Sequence, residues 1–117
     1  MPYDPENVFA KIIRGEIPSA RVHEDEEFVA IRDIAPAAPT HILVLPRREG
    51  VSAPADLEDG DADWVGRMVL LGTRLARAEG LEAGGYRLLM NCGPDAGQTV
   101  PHLHLHILGG RRLGELA

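Results

Sequence analysis

Three histidines alternate with aliphatic residues near the end of the chain, in the run Pro101-His-Leu-His-Leu-His-Ile-Leu-Gly-Gly110. This alternation of polar and apolar residues predicts a half-buried strand over residues 102–108. On a strand, side chains two residues apart lie about 6.6 Å from each other on the same face. We therefore expect His102, His104 and His106 to share one face, while the aliphatic side chains enter a core on the other.

Such a row of imidazoles could bind a metal, fill a structural role, or perform nucleophilic and acid–base catalysis. A structural row is unfavourable, because every buried imidazole needs a hydrogen-bond partner. His102, His104 and a third ligand could hold a catalytic zinc ion, but a structural zinc site would need four ligands, and Cys92 is the single cysteine. Catalysis is favoured, because a neutral imidazole is a nucleophile near neutral pH and neighbouring histidines can fix its tautomer.

The residues before the histidines indicate which electrophile such a nucleophile would attack. They form a loop rich in glycine and small polar residues, Asn91-Cys-Gly-Pro-Asp-Ala-Gly-Gln-Thr99. Gly93 and Gly97 allow backbone N–H groups to approach a ligand, and Gln98 and Thr99 add side-chain donors. Donors that converge beside a nucleophile suit the oxygen atoms of a phosphoryl group.

The elements that must position these residues are predicted to be strands around one long helix. A first short helix begins at Asp4 and Pro5, since Asp caps helices and Pro is tolerated at the first helical position. Apolar residues at spacings of four, three and four predict an amphipathic helix over residues 61–79, although Gly66 and Gly72 weaken it. The predicted fold class is α+β, with a five-stranded, mainly antiparallel sheet, one long helix and one short helix. The five strands are expected over residues 21–24, 27–32, 41–45, 86–91 and 102–108.

Composition excludes several classes of protein. A length of 117 residues fits one domain with one core. The net charge of −6 argues against binding of nucleic acid, because a polyanion would be repelled. No apolar run approaches the roughly 20 residues of a membrane span, and the N-terminal residues lack a basic segment, so neither a membrane anchor nor a secretory signal is expected. A single cysteine suits a reducing compartment, and we expect the protein to be cytoplasmic.

The run over residues 102–108 also matches, at every position, the His-φ-His-φ-His-φ-φ motif of the histidine triad (HIT) superfamily, in which φ is apolar. Other segments resemble the purine-nucleotide-binding Hint branch of that superfamily, and Leu108-Gly-Gly110 also favours it. The resemblance extends over residues 8–113 and implies one HIT domain with the HIT-like fold over residues 1–117. The segments concerned are Phe9-Ala-Lys-Ile-Ile-Arg-Gly-Glu-Ile-Pro18, Asp33-Ile-Ala-Pro-Ala-Ala-Pro-Thr-His41 and Gly97-Gln-Thr-Val-Pro-His102.

The resemblance implies an activity and a role for each histidine. The activity is hydrolysis of a purine nucleoside monophosphate from a leaving group, as in conjugates of AMP, through a covalent nucleotidyl-histidine. His104 would be the nucleophile that attacks the α-phosphorus. His106, with Thr99, would contact the scissile bridge and help protonate the leaving group. His102 would hold phosphate and the local hydrogen-bond network, and His41 would belong to a relay behind the triad.

The same resemblance implies a nucleotide pocket. Asn91, Gly97 and Gln98 would cradle the phosphate. Asp33 would bind the ribose, because one carboxylate can accept hydrogen bonds from both ribose hydroxyls. The walls of the base pocket would be Val8, Phe9, Ile17 and Ile34.

The family also implies a homodimer in which the sheets of the two subunits form one continuous sheet and the helices over residues 61–79 pack together. No cofactor or metal is expected. Many bacterial relatives carry Cys-x-x-Cys at the first helix as part of a zinc site, but this chain reads Asn7-Val8-Phe9-Ala10 there. The short polar tail after Gly110 leaves the preferred leaving group open.

Two alternatives remain beside the predicted activity of a nucleoside phosphoramidase, which hydrolyses the bond between a nucleoside monophosphate and an amine. One is hydrolysis of dinucleoside polyphosphates, and the other is a non-catalytic nucleotide-binding module or scaffold. The complete triad weighs against the second alternative, since a protein that only binds nucleotides needs no nucleophile.

Overall fold

The fold is an antiparallel five-stranded sheet with a helix packed on each face. The structure is a computed structural model that describes residues 1–116. Ala117, the last residue of the predicted domain, lies outside the described residues. The strands are β1 (Arg21–Glu24), β2 (Phe28–Arg32), β3 (Thr40–Pro46), β4 (Tyr86–Leu89) and β5 (Leu105–Gly109), and the helices are α1 (Val8–Ile13) and α2 (Ala62–Ala78). The strand order is β1-β2-β3-β5-β4, with every neighbouring pair antiparallel. The predicted α+β class, with five strands, one long helix and one short helix, is confirmed.

Central strand β3 is buried on both faces, which explains why it reads as an almost continuous apolar run. Ile42 and Val44 pack into the cluster that contains Trp64 of α2. Leu43 packs into a second cluster with Phe9 of α1. Because successive side chains of a strand point to opposite faces, the two helices cover opposite sides of the sheet.

Strand β5 begins later than the sequence predicted, at Leu105 instead of His102. The backbone N–H of Leu103 donates to the carbonyl oxygen of Val51 at 3.0 Å rather than to β3. The carbonyl oxygen of Pro46, at the end of β3, accepts from the ring of His102 instead of from a backbone N–H group. The segment before the strand is therefore held by a loop and a side chain, outside the hydrogen-bond ladder of the sheet.

Helix α1 also begins later than predicted. Asn7, and not Asp4, is its N-cap: the Asn7 side-chain oxygen accepts from the backbone N–H of Ala10 at 2.8 Å. The Asn7 side-chain amide donates to the carbonyl oxygen of Asp4 at 2.7 Å. The Asp4 carboxylate accepts from the backbone N–H of Glu6 at 2.9 Å, so it closes a turn that precedes the helix.

Helix α2 agrees with the predicted amphipathic helix to within one residue at each end. Its two glycines differ in their surroundings. A Cβ atom on Gly72 would lie 2.9 Å from a methyl carbon of Leu105 in β5, whereas a Cβ atom on Gly66 would meet no atom within 4 Å. Gly72 therefore permits the close approach of α2 to the sheet. Within residues 1–116, neither helix combines the length and the apolar character needed to cross a membrane.

Candidate active site

The imidazoles gather on the face of the sheet that α1 covers, as the alternation in the sequence predicted. His106 lies in β5 between Leu105 and Ile107, which pack into the cluster on the α2 side. The ring centroids of His104 and His106 are 4.9 Å apart. Phe9 of α1 packs edge-on against the ring of His104, also with a centroid distance of 4.9 Å. The aliphatic side chains of this segment thus lie on the face covered by α2, and the imidazoles lie on the face covered by α1.

His102 is fully buried, and both of its ring nitrogens are engaged. Its Nε2 atom donates to the carbonyl oxygen of Pro46 at 2.9 Å, because a carbonyl oxygen can only accept. Its Nδ1 atom accepts from the hydroxyl group of Tyr3 at 2.9 Å. Both ring nitrogens of His102 thus belong to the local hydrogen-bond network, as predicted, and its contact with phosphate stays a prediction. Tyr3 was not predicted, since nothing in the sequence connects residues 99 positions apart.

His104 has one ring nitrogen engaged and one with its lone pair available. Its Nδ1 atom donates to the carbonyl oxygen of His102 at 2.7 Å. In the neutral ring, Nδ1 therefore carries the proton and Nε2 carries the lone pair. This tautomer is the one in which Nε2 can attack an electrophile.

His41 and His106 form a chain of two imidazoles whose polarity is fixed by the backbone. The N–H group of Ala37 donates to Nδ1 of His41 at 3.1 Å, so Nε2 of His41 carries the proton. Nε2 of His41 lies 2.9 Å from Nδ1 of His106 and donates to it. Nε2 of His106 is therefore the protonated nitrogen of that ring. This Nε2 atom is buried and has no hydrogen-bond partner within the described part of the chain, residues 1–116.

Burial keeps these rings neutral. It is the main cause that lowers the pKa of His41, His102 and His104, because desolvation disfavours the imidazolium form. Burial together with the neighbouring His104 and His41 lowers the pKa of His106 to about 4. The carboxylate of Asp33, 3.5 Å from Nε2 of His41, raises the pKa of His41, but burial outweighs it. All four imidazoles are therefore uncharged at neutral pH.

A cleft of about 290 Å³ lies beside α1 on the same face of the sheet. Its lining includes the four predicted walls of the base pocket, and also Asp33 and Thr99 from the predicted site. Residues that the sequence reasoning missed also line it, and the period-two pattern of β2 and β3 could have revealed Ile31 and Leu43. The full lining is Val8, Phe9, Ile12, Ile17, Pro18, Ser19, Ile31, Arg32, Asp33, Ile34, Leu43, Thr99 and Val100.

Two predicted members of the nucleoside pocket lie at the edge of this cleft. Ile34 is 97 % exposed, so it projects into solvent at the mouth instead of forming an enclosed wall. Asp33 accepts from the backbone N–H of Ala35 at 2.8 Å through one carboxylate oxygen, while the other faces His41. Asp33 therefore stands between the cleft and the histidine chain.

The glycine-containing loop uses most of its predicted donors on itself. The side-chain amide of Gln98 donates to the carbonyl oxygens of Ser52, at 2.6 Å, and Val100, at 3.0 Å. The side-chain oxygen of Gln98 accepts from the N–H group of Gly93 at 2.9 Å. The N–H group of Gly97, whose φ of 84° suits glycine, donates to Pro94 at 3.0 Å. Closing the loop therefore occupies these donors of Gln98 and Gly97, and their contact with phosphate stays a prediction.

Thr99 and Asn91 differ in their relation to the cleft. Thr99 is exposed and lines it. Asn91 is half-buried beyond the end of β4 and does not belong to the lining. No group of three or more His, Cys, Asp and Glu side chains within residues 1–116 is arranged to hold a metal ion.

Comparison with known proteins agrees with this geometry. The HIT domain family matches residues 14–113. The chain belongs to the HIT family. This HIT domain is 49 % identical over 119 residues to a 13.2 kDa HIT-like protein of Azospirillum brasilense, with 97 % of this chain and 93 % of that protein covered. It is 44 % identical over 113 residues to the purine nucleoside phosphoramidase of Escherichia coli strain K12, with 95 % and 92 % covered.

A solved structure has the same fold as this HIT domain. The crystal structure of a HIT family hydrolase from Legionella pneumophila Philadelphia 1 superposes with a TM-score of 0.89 and 43 % sequence identity. The match covers 92 % of this chain and 95 % of the other. The prediction of the histidine triad superfamily is thus confirmed in both sequence and structure.

Proposed function

We propose that this HIT domain is a purine nucleoside phosphoramidase, which releases a nucleoside monophosphate from a leaving group through a covalent nucleotidyl-histidine. One observation carries the proposal. The lone pair on Nε2 of His104 and the unpartnered N–H group on Nε2 of His106 belong to adjacent rings. A nucleophile beside a free donor is the arrangement that a displacement at phosphorus requires.

In the first step, Nε2 of His104 attacks the α-phosphorus and the bond to the leaving group breaks. The positive charge that develops on the ring is stabilised by the Nδ1–H···O=C hydrogen bond to His102. The N–H group of His106 donates to the bridging atom and passes its proton to it, so the leaving group departs protonated. Water then attacks phosphorus, gives a proton back to His106, and breaks the bond between phosphorus and Nε2 of His104. This step releases the nucleoside monophosphate and restores neutral His104.

The cleft supplies the place for the nucleoside. Its apolar walls, among them Phe9, Ile12 and Leu43, suit the faces of a purine ring. Asp33 keeps a carboxylate at the edge of the cleft nearest His41, where it could accept from ribose hydroxyls. Thr99 is the hydroxyl-bearing residue next to the glycine-containing loop, and we propose that it contacts the phosphate or the leaving group. The 44 % identity to a purine nucleoside phosphoramidase supports this assignment.

The covalent intermediate provides the direct test. The protein is mixed with an adenosine phosphoramidate, quenched with base within the first turnover, and digested for mass spectrometry. An adenylyl group is expected on the peptide that contains His104, and the His104→Gly variant should show neither adduct nor turnover. Turnover that persists in His104→Gly, or an adduct on another residue, would refute the nucleophile assignment.

Turnover and binding assays on the same purified protein distinguish the phosphoramidase from the two alternatives, a dinucleoside polyphosphate hydrolase and a non-catalytic binding module. A dinucleoside polyphosphate hydrolase would turn over a dinucleoside polyphosphate faster than the adenylated amine. A binding module would retain AMP in a titration while hydrolysing neither an adenylated amine nor an acyl adenylate.

We further propose that the functional unit is a homodimer. β4 pairs only with β5 within the described residues, so its other edge is open to a strand from a second copy. Leu70 of α2 is 54 % exposed, and its burial between two α2 helices would remove apolar surface from water. Light scattering is expected to give twice the mass of one chain, and Leu70→Glu should shift the protein toward the monomer. A monomeric wild-type protein would contradict this assembly.

A further inference from the structure

Tyr3 lies outside the triad motif and has no part in the proposed mechanism, yet it contacts the first histidine of the triad. Its hydroxyl oxygen is 2.9 Å from Nδ1 of His102, and the two ring centroids are 5.6 Å apart. Because Nε2 of His102 donates to the carbonyl oxygen of Pro46, Nδ1 carries the lone pair and the tyrosine hydroxyl is the donor. Burial raises the pKa of Tyr3, so this hydroxyl keeps its proton at neutral pH.

His102 is the residue whose backbone sets the tautomer of the proposed nucleophile. Its carbonyl oxygen accepts from Nδ1 of His104 at 2.7 Å, which leaves the lone pair on Nε2 of His104. A displaced carbonyl oxygen would weaken this hydrogen bond and allow the proton to occupy Nε2 instead, which removes the lone pair from the attacking atom. The position of the His102 backbone is therefore part of the activation of His104.

The hydrogen-bond ladder of the sheet does not hold the backbone of His102. β5 begins at Leu105, and the pairing of β5 with β3 also begins there. The backbone N–H group of His102 donates to the carbonyl oxygen of Val100 at 2.9 Å, which is a local contact. The fully buried ring is instead held at both of its nitrogens, by Tyr3 and by Pro46. Side-chain contacts thus position a residue that strand pairing does not reach.

The segment that carries Tyr3 is fixed on both sides of that residue. The carbonyl oxygen of Met1 lies 2.6 Å from the hydroxyl oxygen of Ser52, which is buried. The carbonyl oxygen of Asp4 accepts from the backbone N–H group of Asn7 at 3.0 Å and from its side-chain amide at 2.7 Å. These contacts hold the tyrosine ring against His102.

We propose that Tyr3 is a positioning residue, whose hydroxyl group holds the His102 ring so that the His102 carbonyl oxygen keeps His104 in the tautomer that attacks phosphorus. This inference rests on the proposed function, which makes Nε2 of His104 the nucleophile. Tyr3 does not belong to the lining of the nucleoside cleft. Loss of its hydroxyl group therefore removes a restraint on the nucleophile and leaves the walls of the cleft in place.

Tyr3→Phe tests the proposal, because it removes the hydroxyl group and keeps the ring. We expect kcat on an adenosine phosphoramidate to fall about three- to tenfold, as for loss of one neutral hydrogen bond, with KM changed by less than about twofold. Circular dichroism at the assay temperature verifies that the variant is folded, so that the fall in kcat is measured on native protein.

The tautomer of His104 gives a second readout, which a purely structural role of Tyr3 would leave unchanged. Nitrogen-15 NMR distinguishes an imidazole nitrogen that carries a proton from one that carries a lone pair. In the free wild-type protein, His104 should show its proton on Nδ1. In free Tyr3→Phe, His104 is expected to show both tautomers in exchange.

Tyr86, the other tyrosine of the chain, provides the matched control. It lies in β4 and packs against the core cluster that contains Trp64, on the face of the sheet opposite the imidazoles. Tyr86→Phe removes the same hydroxyl group and should leave both kcat and the nitrogen signals of His104 unchanged.

Several results would overturn the role of Tyr3. Equal kcat for Tyr3→Phe and the wild-type protein rejects it, and so does an equal fall in kcat for Tyr86→Phe. A single unchanged tautomer of His104 in Tyr3→Phe also rejects it, because any fall in kcat would then arise elsewhere. The NMR measurement needs no substrate. A wild-type protein that hydrolyses no phosphoramidate therefore refutes the proposed activity, and the nitrogen signals alone then decide whether Tyr3 controls His104.

Discussion

Nε2 of His41 lies 2.9 Å from Nδ1 of His106, and this contact determines which nitrogen of the His106 ring carries a proton. The direction of the hydrogen bond follows from the N–H group of Ala37, which occupies the other nitrogen of His41. A backbone group outside the triad therefore sets the tautomer of the His106 imidazole through one intervening ring. Second-layer contacts of this kind orient a functional group without touching the substrate.

We expect His41→Ala to lower kcat about tenfold to a hundredfold with little change in KM, because His106 loses the donor that fixes its tautomer. His41→Gln should retain more activity, since its side-chain amide N–H can reach about as far as Nε2 of the imidazole. Steady-state kinetics on an adenosine phosphoramidate will check both variants. Equal kcat for His41→Ala and the wild-type protein would contradict the relay.

Stability is expected to fall as the pH drops below about 6.5. Burial holds the pKa values of all four clustered histidines below that of the unfolded chain, and that of His106 at about 4. Between these values the unfolded chain binds more protons than the folded chain, so the stabilisation present above pH 6.5 is lost on acidification. Thermal unfolding from pH 8 to 4 will measure the slope, which should be shallower in His106→Asn. A midpoint that stays constant over this range would contradict neutral buried imidazoles.

Activity is expected to need no metal ion. The ring nitrogens of His102 are engaged by Tyr3 and Pro46, and His104 has a single nitrogen free. These two rings together therefore offer only one nitrogen as a ligand for a metal ion. Turnover should survive exhaustive chelation followed by dialysis. Loss of activity that added Zn²⁺ restores would show that the site works as a metal centre.

Gln98 is expected to matter for the shape of the loop. Its side chain makes three hydrogen bonds to backbone groups in a buried position, and leaving such groups unpaired costs about 1–3 kcal/mol each. Gln98→Ala should therefore lower the thermal midpoint and also kcat/KM, because Thr99 follows directly. Asp95, exposed on the same loop, provides the control: Asp95→Ala should leave the midpoint within experimental error. Equal thermal midpoints for the two variants would show that the Gln98 side chain does not stabilise the loop.

The two glycines of α2 should respond to alanine in opposite directions. Gly66→Ala is expected to raise the free energy of unfolding by up to about 1 kcal/mol, since alanine is the better helix former and the site is open. Gly72→Ala should lower it by about 1–2 kcal/mol, because the new Cβ atom would press on Leu105, which is buried in the core. Denaturant unfolding of both variants, run in parallel, gives the comparison. A stabilising Gly72→Ala would mean that the core yields easily at this contact.

Local patterns predicted most of the fold. The period-two run at the histidines placed them on one face, and the helical spacing of Trp64, Met68 and Leu71 located α2 to within one residue at each end. Boundaries were less accurate where a tertiary contact replaced a local one. The ring of His102 donates a hydrogen bond to the carbonyl oxygen of Pro46, and β5 begins only after this contact, at Leu105. Asn7 caps α1 in place of Asp4.

The amino-acid sequence by itself determined the family and the fold class and placed the histidines on one face of the sheet, because motif and periodicity are local properties. Only the tertiary structure decided what each ring can do. The tautomers of His104 and His106 depend on carbonyl and imidazole partners brought close by folding, and the pKa of His106 depends on burial. Likewise, that Gln98 closes the loop follows from long-range packing, which spacing along the chain does not encode.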